Sequence, residues 1–133
     1  MHSKPSLQEI RKKLRVLQKY DVVIFGSYAT DNFTAKSDID IAVITKQKKP
    51  EKNKVIWKKL LAISPAKYHI NIFELLPLNL KAEIIENNQI LFGKDLEISE
   101  YFYHFRKLWQ DSKHRYYENQ FNSVKEKILL ASA

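Results

Sequence analysis

The sequence predicts an α/β fold of the α+β kind: a mixed sheet of about four short strands with helices packed against it, followed by a C-terminal helical segment. Two observations carry that expectation. Short β-branched apolar runs alternate with stretches of helical periodicity, in the order helix, strand, strand, helix, strand, helix, strand, helix. The chain has 133 residues and is 44% hydrophobic, which suits one domain with one core and excludes a disordered chain.

The elements follow in order. Ser6-Leu7-Gln8-Glu9 reads as a capping box, and Leu7, Ile10, Leu14 and Leu17 form one apolar stripe on a basic helix. Val22–Phe25 is a buried strand that ends at Gly26. After a polar stretch, the alternation in Ser37–Ile44 marks a second strand. Lys46–Lys54, containing Pro50, reads as an exposed loop, and Val55–Ile63 as a helix stopped by Ser64-Pro65. Tyr68–Glu74 reads as a third strand, Leu78–Glu86 as a helix closed by Asn87-Asn88, and Gln89–Phe92 as a fourth strand ending at Gly93. From about Glu97, Ile98, Phe102, Phe105 and Trp109 recur at four, three, four, predicting a long C-terminal helix or helix pair. Residues 1–95 thus form the main domain. Residues 96–133 form a helical extension packed on that domain or on a partner. The aromatic stripe exceeds what a small sheet edge can cover, so a partner or a homo-oligomer is expected to bury part of it.

Composition narrows the chemistry. There is no cysteine, which excludes disulfides, thiolate metal sites and a cysteine nucleophile. No apolar run reaches the roughly 18 residues of a membrane span, and Met1-His2-Ser3-Lys4-Pro5 has no apolar leader pattern, so a cytoplasmic protein without a membrane partner is expected. The net charge of +8 is unevenly spread: residues 1–60 hold 14 Lys/Arg against 6 Asp/Glu, and residues 95–133 hold 6 against 6. That imbalance favours an anionic partner. Nucleic acid is not the expected one, because neither a recognition-helix pattern nor an aromatic RNA motif is present.

One constellation carries chemistry. Gly26 sits where a buried strand must turn, and without a Cβ it permits close approach of a ligand or of another backbone segment. Ser27 follows with a hydroxyl and an amide suited to a phosphate. Asp38 and Asp40 stand two apart on a strand, so both carboxylates project from one face. They repel unless a cation lies between them. Hard oxygen donors of this kind suit Mg²⁺, which takes one or two carboxylates together with phosphate oxygens.

Gly26-Ser27-Tyr28-Ala29, seven residues, then Ser37-Asp38-Ile39-Asp40 resembles the GSxA…SDxD signature of the DNA polymerase β-like nucleotidyltransferases. The short length and Phe73-Glu74-Leu75-Leu76-Pro77 resemble their minimal nucleotidyltransferase (MNT) branch. The resemblance implies a mixed sheet carrying an Mg²⁺ site of two ions, with Mn²⁺ as a substitute and ATP as the donor. It implies that Gly26, Ser27 and Ser37 serve the nucleotide and that Asp38 and Asp40 ligand the metals as the catalytic carboxylates. It further implies AMP transfer to an acceptor hydroxyl on a HEPN-type toxin, the MNT protein being the antitoxin. Two departures stand out. Relatives often continue after the alanine with Arg-Gly, where this chain has Thr30-Asp31 and only Lys36 nearby. The third carboxylate of active members, on the next core strand, is matched here by His69, or by Asn71 under a shifted alignment. Strand alternation turns Glu74 away from that face. A catalytically weak antitoxin that neutralises its partner by binding is therefore the alternative expectation.

Overall fold

The computed structural model describes residues 4–132; Met1-His2-Ser3, read above for a leader, lie outside them. Its elements are α1 (Leu7–Lys13), β1 (Asp21–Phe25), β2 (Ile39–Ile44), α2 (Pro50–Ile63), β3 (Tyr68–Ile72), α3 (Leu78–Glu86), β4 (Gln89–Phe92) and α4 (Asp95–Ser132). The sheet order is β3-β2-β1-β4. β1 runs antiparallel to β2 and to β4, while β2 and β3 are parallel. The mixed four-stranded sheet and the C-terminal helix expected from the sequence are both present.

Each face of the sheet buries its own set of side chains. Ile10, Leu14 and Leu17 of the first helical segment and Leu60 of α2 cover Val22, Ile24, Ile41, Val43, Ile70 and Ile72. On the other face, Ile84 and Ile85 of α3 and Ile98 and Phe102 of α4 cover Val23, Ala42, Ile44 and Phe73. The helices also guard the two open edges, where unpaired strand groups invite association. Trp57 Nε1 donates to Ile70 O on β3 at 2.8 Å, and Arg11 Nε donates to Leu91 O on β4 at 2.8 Å.

Several boundaries differ from the sequence expectation. Ser6 Oγ accepts from Glu9 N at 3.2 Å as a capping box requires, but α1 stops at Lys13 and a short 3₁₀ turn, Arg15–Leu17, completes the apolar stripe. α2 starts five residues earlier than its apolar stripe indicates, because Pro50 takes the first helical position, where a missing N–H costs nothing. β3 ends at Ile72, and Phe73–Leu75 form a 3₁₀ turn. The C-terminal segment is a single helix of 38 residues. Its start completes the second core layer. From Tyr117 to Ala131 every residue is exposed. Among the described residues no helix is long and apolar enough to cross a membrane.

Candidate active site

β1 delivers the chain to Gly26, which opens a 3₁₀ turn, Gly26–Tyr28. Gly26 has φ +73°, and a Cβ built there would lie 2.3 Å from Asp40 Oδ2. Glycine is thus required twice over, by the left-handed backbone and by the carboxylate against it. The crowding neighbour is the Asp40 side chain of the protein itself. Tyr28 anchors the turn: its ring is buried, its hydroxyl donates to Pro5 O at 2.7 Å, and Phe33 meets it edge-on.

The strand register gathers three of the predicted residues. Asp40 pairs with Phe25 across β1–β2 and with His69 across β2–β3. His69 Nδ1 lies 3.2 Å from Asp40 Oδ1. Asp40 therefore stands between the Gly26 turn and the imidazole, with its side chain 29% exposed and that of His69 62% exposed. Asp38 is exposed just before β2 begins, two residues from Asp40. Asn71 pairs with Ala42, one step further along the face, and its side-chain amide donates to His69 O. Of the two candidates for the third-carboxylate position, His69 is the direct neighbour of Asp40.

Ser37 is engaged elsewhere. Its hydroxyl accepts from Thr34 N at 3.0 Å and lies 3.1 Å from the Thr34 hydroxyl, closing the loop that feeds β2. Ser27 is half-buried in the turn beside Gly26. At the position where relatives often carry glycine, Asp31 has φ +62°. The left-handed step falls here on a residue type that tolerates it.

Glu74 lies at the opposite end of β2. Its carboxylate accepts from Thr45 N, the Thr45 hydroxyl, Lys46 N and the Tyr101 hydroxyl, at 3.1, 3.2, 2.9 and 2.7 Å. Thr45 is five residues from Asp40, about 17 Å along a strand. The turn beginning at Phe73 aims Glu74 at this junction, where burial and the hydrogen bond to Glu74 push the Tyr101 phenol upward.

Beside the Gly26 turn a cleft of about 420 Å³ opens toward α3, lined by Phe25, Gly26, Thr30, Leu80, Glu83, Ile84 and Asn87. Neither Glu83 nor Asn87 carries a sequence signal for such a place; only the packing of α3 brings them there. A larger groove of about 530 Å³ between α3 and α4 shares Glu83 and Asn87 with it but does not reach Asp40.

A glycine turn pressed on one strand aspartate, with a second aspartate two residues upstream, is the arrangement of a known family, and residues 8–97 match its model, Polymerase beta, Nucleotidyltransferase. The chain belongs to the polymerase beta nucleotidyltransferase family. This nucleotidyltransferase is 44% identical over 111 residues to the Methanocaldococcus jannaschii protein named "Putative protein adenylyltransferase MJ1547", over 84% of this chain and 86% of that one. Its fold is that of a toxin–antitoxin crystal structure with AMP-PNP, at a TM-score of 0.56 and 16% identity, over 90% of this chain and 98% of that one. It is also that of a complex of tri-AMPylated Shewanella oneidensis HEPN toxin with MNT antitoxin, at a TM-score of 0.54 and 15% identity, over 93% and 99%. The nucleotidyltransferase resemblance read from the Gly26 and Asp38/Asp40 motif holds.

Among the described residues no group of three or more side chains is arranged to hold a metal ion. Asp38 and Asp40 still fit Mg²⁺, which needs only one or two carboxylates when phosphate oxygens complete its shell.

Proposed function

We propose that this nucleotidyltransferase is a cytoplasmic MNT antitoxin that binds ATP with Mg²⁺ and transfers AMP to a hydroxyl on a HEPN-type toxin partner. The observation that carries the reading is Asp40 held between the Gly26 turn and His69, with Asp38 exposed at the strand's entry. In this reading the Gly26–Ser27 turn takes the triphosphate and Asp38 and Asp40 hold the ion, which neutralises phosphate charge when bound. The acceptor oxygen forms a bond to the α-phosphorus, the bond from that phosphorus to the bridging oxygen breaks, and pyrophosphate leaves. The hydroxyl's proton needs an acceptor. With Nδ1–H donating to Asp40, His69 presents Nε2 as the proton acceptor.

A second reading has its own observation. Where active relatives place a carboxylate, His69 offers an imidazole, which is a poor Mg²⁺ ligand and better suited to transition metals. A chain that binds ATP and its partner yet transfers slowly or not at all would neutralise by covering. The deciding experiment follows label from ATP to the co-purified partner, alongside calorimetry of Mg²⁺-ATP binding. Transfer by wild type supports the enzyme, and transfer gained only in His69→Asp or with Mn²⁺ supports the binding antitoxin. Unchanged Mg²⁺-ATP affinity in both Asp38→Asn and Asp40→Asn removes both readings.

A further inference from the structure

α4 carries two apolar stripes. Ile98, Phe102, Phe105 and Trp109 face the protein's own core and α3, and Trp109 is closed over by Tyr116 and Tyr117. Tyr117, Phe121, Val124 and Ile128 repeat the same four, three, four spacing. Nineteen residues separate Ile98 from Tyr117, so at 3.6 residues per turn the second stripe is rotated by about 100° from the first. Beyond Tyr117, which meets Trp109, it does not extend the core-facing surface. Its members are 60, 67, 53 and 63% exposed, on a helical stretch exposed from Tyr117 to Ala131, and isolated helices are marginal.

We infer that this stripe pairs with its own counterpart on a second copy of the chain, as an antiparallel two-helix coil. The four-three spacing is that of a coiled-coil seam. Setting Phe121 opposite Val124 of the second copy, and Tyr117 opposite Ile128 of the second copy, brings Glu118 beside Lys125 of the second copy. The two-fold axis repeats that ion pair, as a self-complementary interface requires. Charge favours the same contact: residues 95–133 hold 6 Lys/Arg against 6 Asp/Glu, whereas the excess of +8 lies in residues 1–60. Tails meet without repulsion, while a parallel pair would bring two basic bodies to the same end. The antiparallel register keeps the bodies at opposite ends of the coil. The four aromatic rings, 60 and 67% exposed, offer roughly 400–600 Å², and Val124, Ile128 and the flanking Glu118 and Lys125 stems bring the total toward the roughly 1,000 Å² of a stable interface.

Light scattering and sedimentation on the intact chain test this. Wild type is expected to be a dimer, and Phe121→Asp a monomer that still unfolds in one cooperative transition. Glu118→Lys should weaken the dimer about tenfold or more by opposing like charges twice, and Glu118→Lys combined with Lys125→Glu should restore it. The chain has no cysteine, so a short bismaleimide should join Glu118→Cys chains to Lys125→Cys chains. A wild-type monomer at high micromolar concentration overturns the inference, as does a double variant that fails to recover. Cross-linking of Lys113→Cys to Glu118→Cys in its place would report a parallel pair and overturn it equally.

Discussion

At Gly26 the backbone angle and the side-chain space make separate demands, and two substitutions tell them apart. Gly26→Ala meets both: a left-handed φ and an Asp40 oxygen 2.3 Å from the new Cβ. It should cost about 2–3 kcal/mol in urea denaturation, and Asp40→Ala in the same chain should recover part of that loss. A cost that Asp40→Ala leaves unchanged would assign the whole effect to the backbone. Asp31 poses only the first demand, at φ +62°. Asp31→Gly should therefore stabilise the fold by up to about 1 kcal/mol, read as a raised Tm. No change in Tm would mean that the larger conformational freedom of glycine in the unfolded chain cancels the relief.

The junction of β2 with the turn after β3 is the element most dependent on a single side chain. Glu74→Ala leaves two backbone amides and the Tyr101 hydroxyl without their acceptor, while the Thr45 hydroxyl keeps Asn53 Oδ1; it should cost about 2–4 kcal/mol, with Mg²⁺-ATP affinity unchanged because Asp40 lies at the far end of β2. A loss of nucleotide binding at full stability would move Glu74 into the site. The same junction sets an alkaline limit. Tyr101 is raised from its ordinary 10.0 by burial first and by Glu74 second, and burial raises Tyr28 and Tyr68 likewise. The unfolded chain therefore releases these protons before the fold does, and stability falls as pH rises above about 10. Burial lowers Lys81, which opposes that slope only below its ordinary 10.5. Tyr101→Phe should flatten the alkaline loss in thermal melts; an unchanged profile would clear Tyr101 of the effect. Legibility in the sequence follows the same physics. α3 and β4 lie where periodicity and their closing Asn87-Asn88 and Gly93 put them, since local signals suffice there. The start of α2 was hidden because Asn53, its buried polar residue, answers to distant partners: Thr45 Oγ1 at 2.6 Å and Gln47 O at 2.8 Å. The Asp40–His69 contact was half legible. Alternation chose the face, but only the parallel register decided between His69 and Asn71, and register is a tertiary property.

Taken as a whole, the molecule divides by burial at a point the strand pattern does not mark. The family match ends at residue 97, yet Ile98 and Phe102 are 2 and 4% exposed and complete the layer over Val23, Ala42 and Phe73. The start of α4 thus belongs to the core, and independence begins near Tyr117. Truncation separates the two parts. A chain stopped after Lys94 loses Ile98 and Phe102 together, each worth about 2–5 kcal/mol, against a total stability of roughly 5–15 kcal/mol. It should fail to fold, giving a broad, non-cooperative melt and poor amide dispersion. A chain stopped after Tyr116 loses a stretch that is exposed from Tyr117 to Ala131, the Tyr117 ring against Trp109 included, and keeps Trp109 with Tyr116 over the α3–α4 groove. Measured in dilute solution, its Tm should stay within about 4 °C of the full chain, and its Mg²⁺-ATP affinity should match. A large fall in Tm at low concentration would mean that the tail folds back and clasps its own body, since a tail held by a second copy stabilises the fold only as concentration rises.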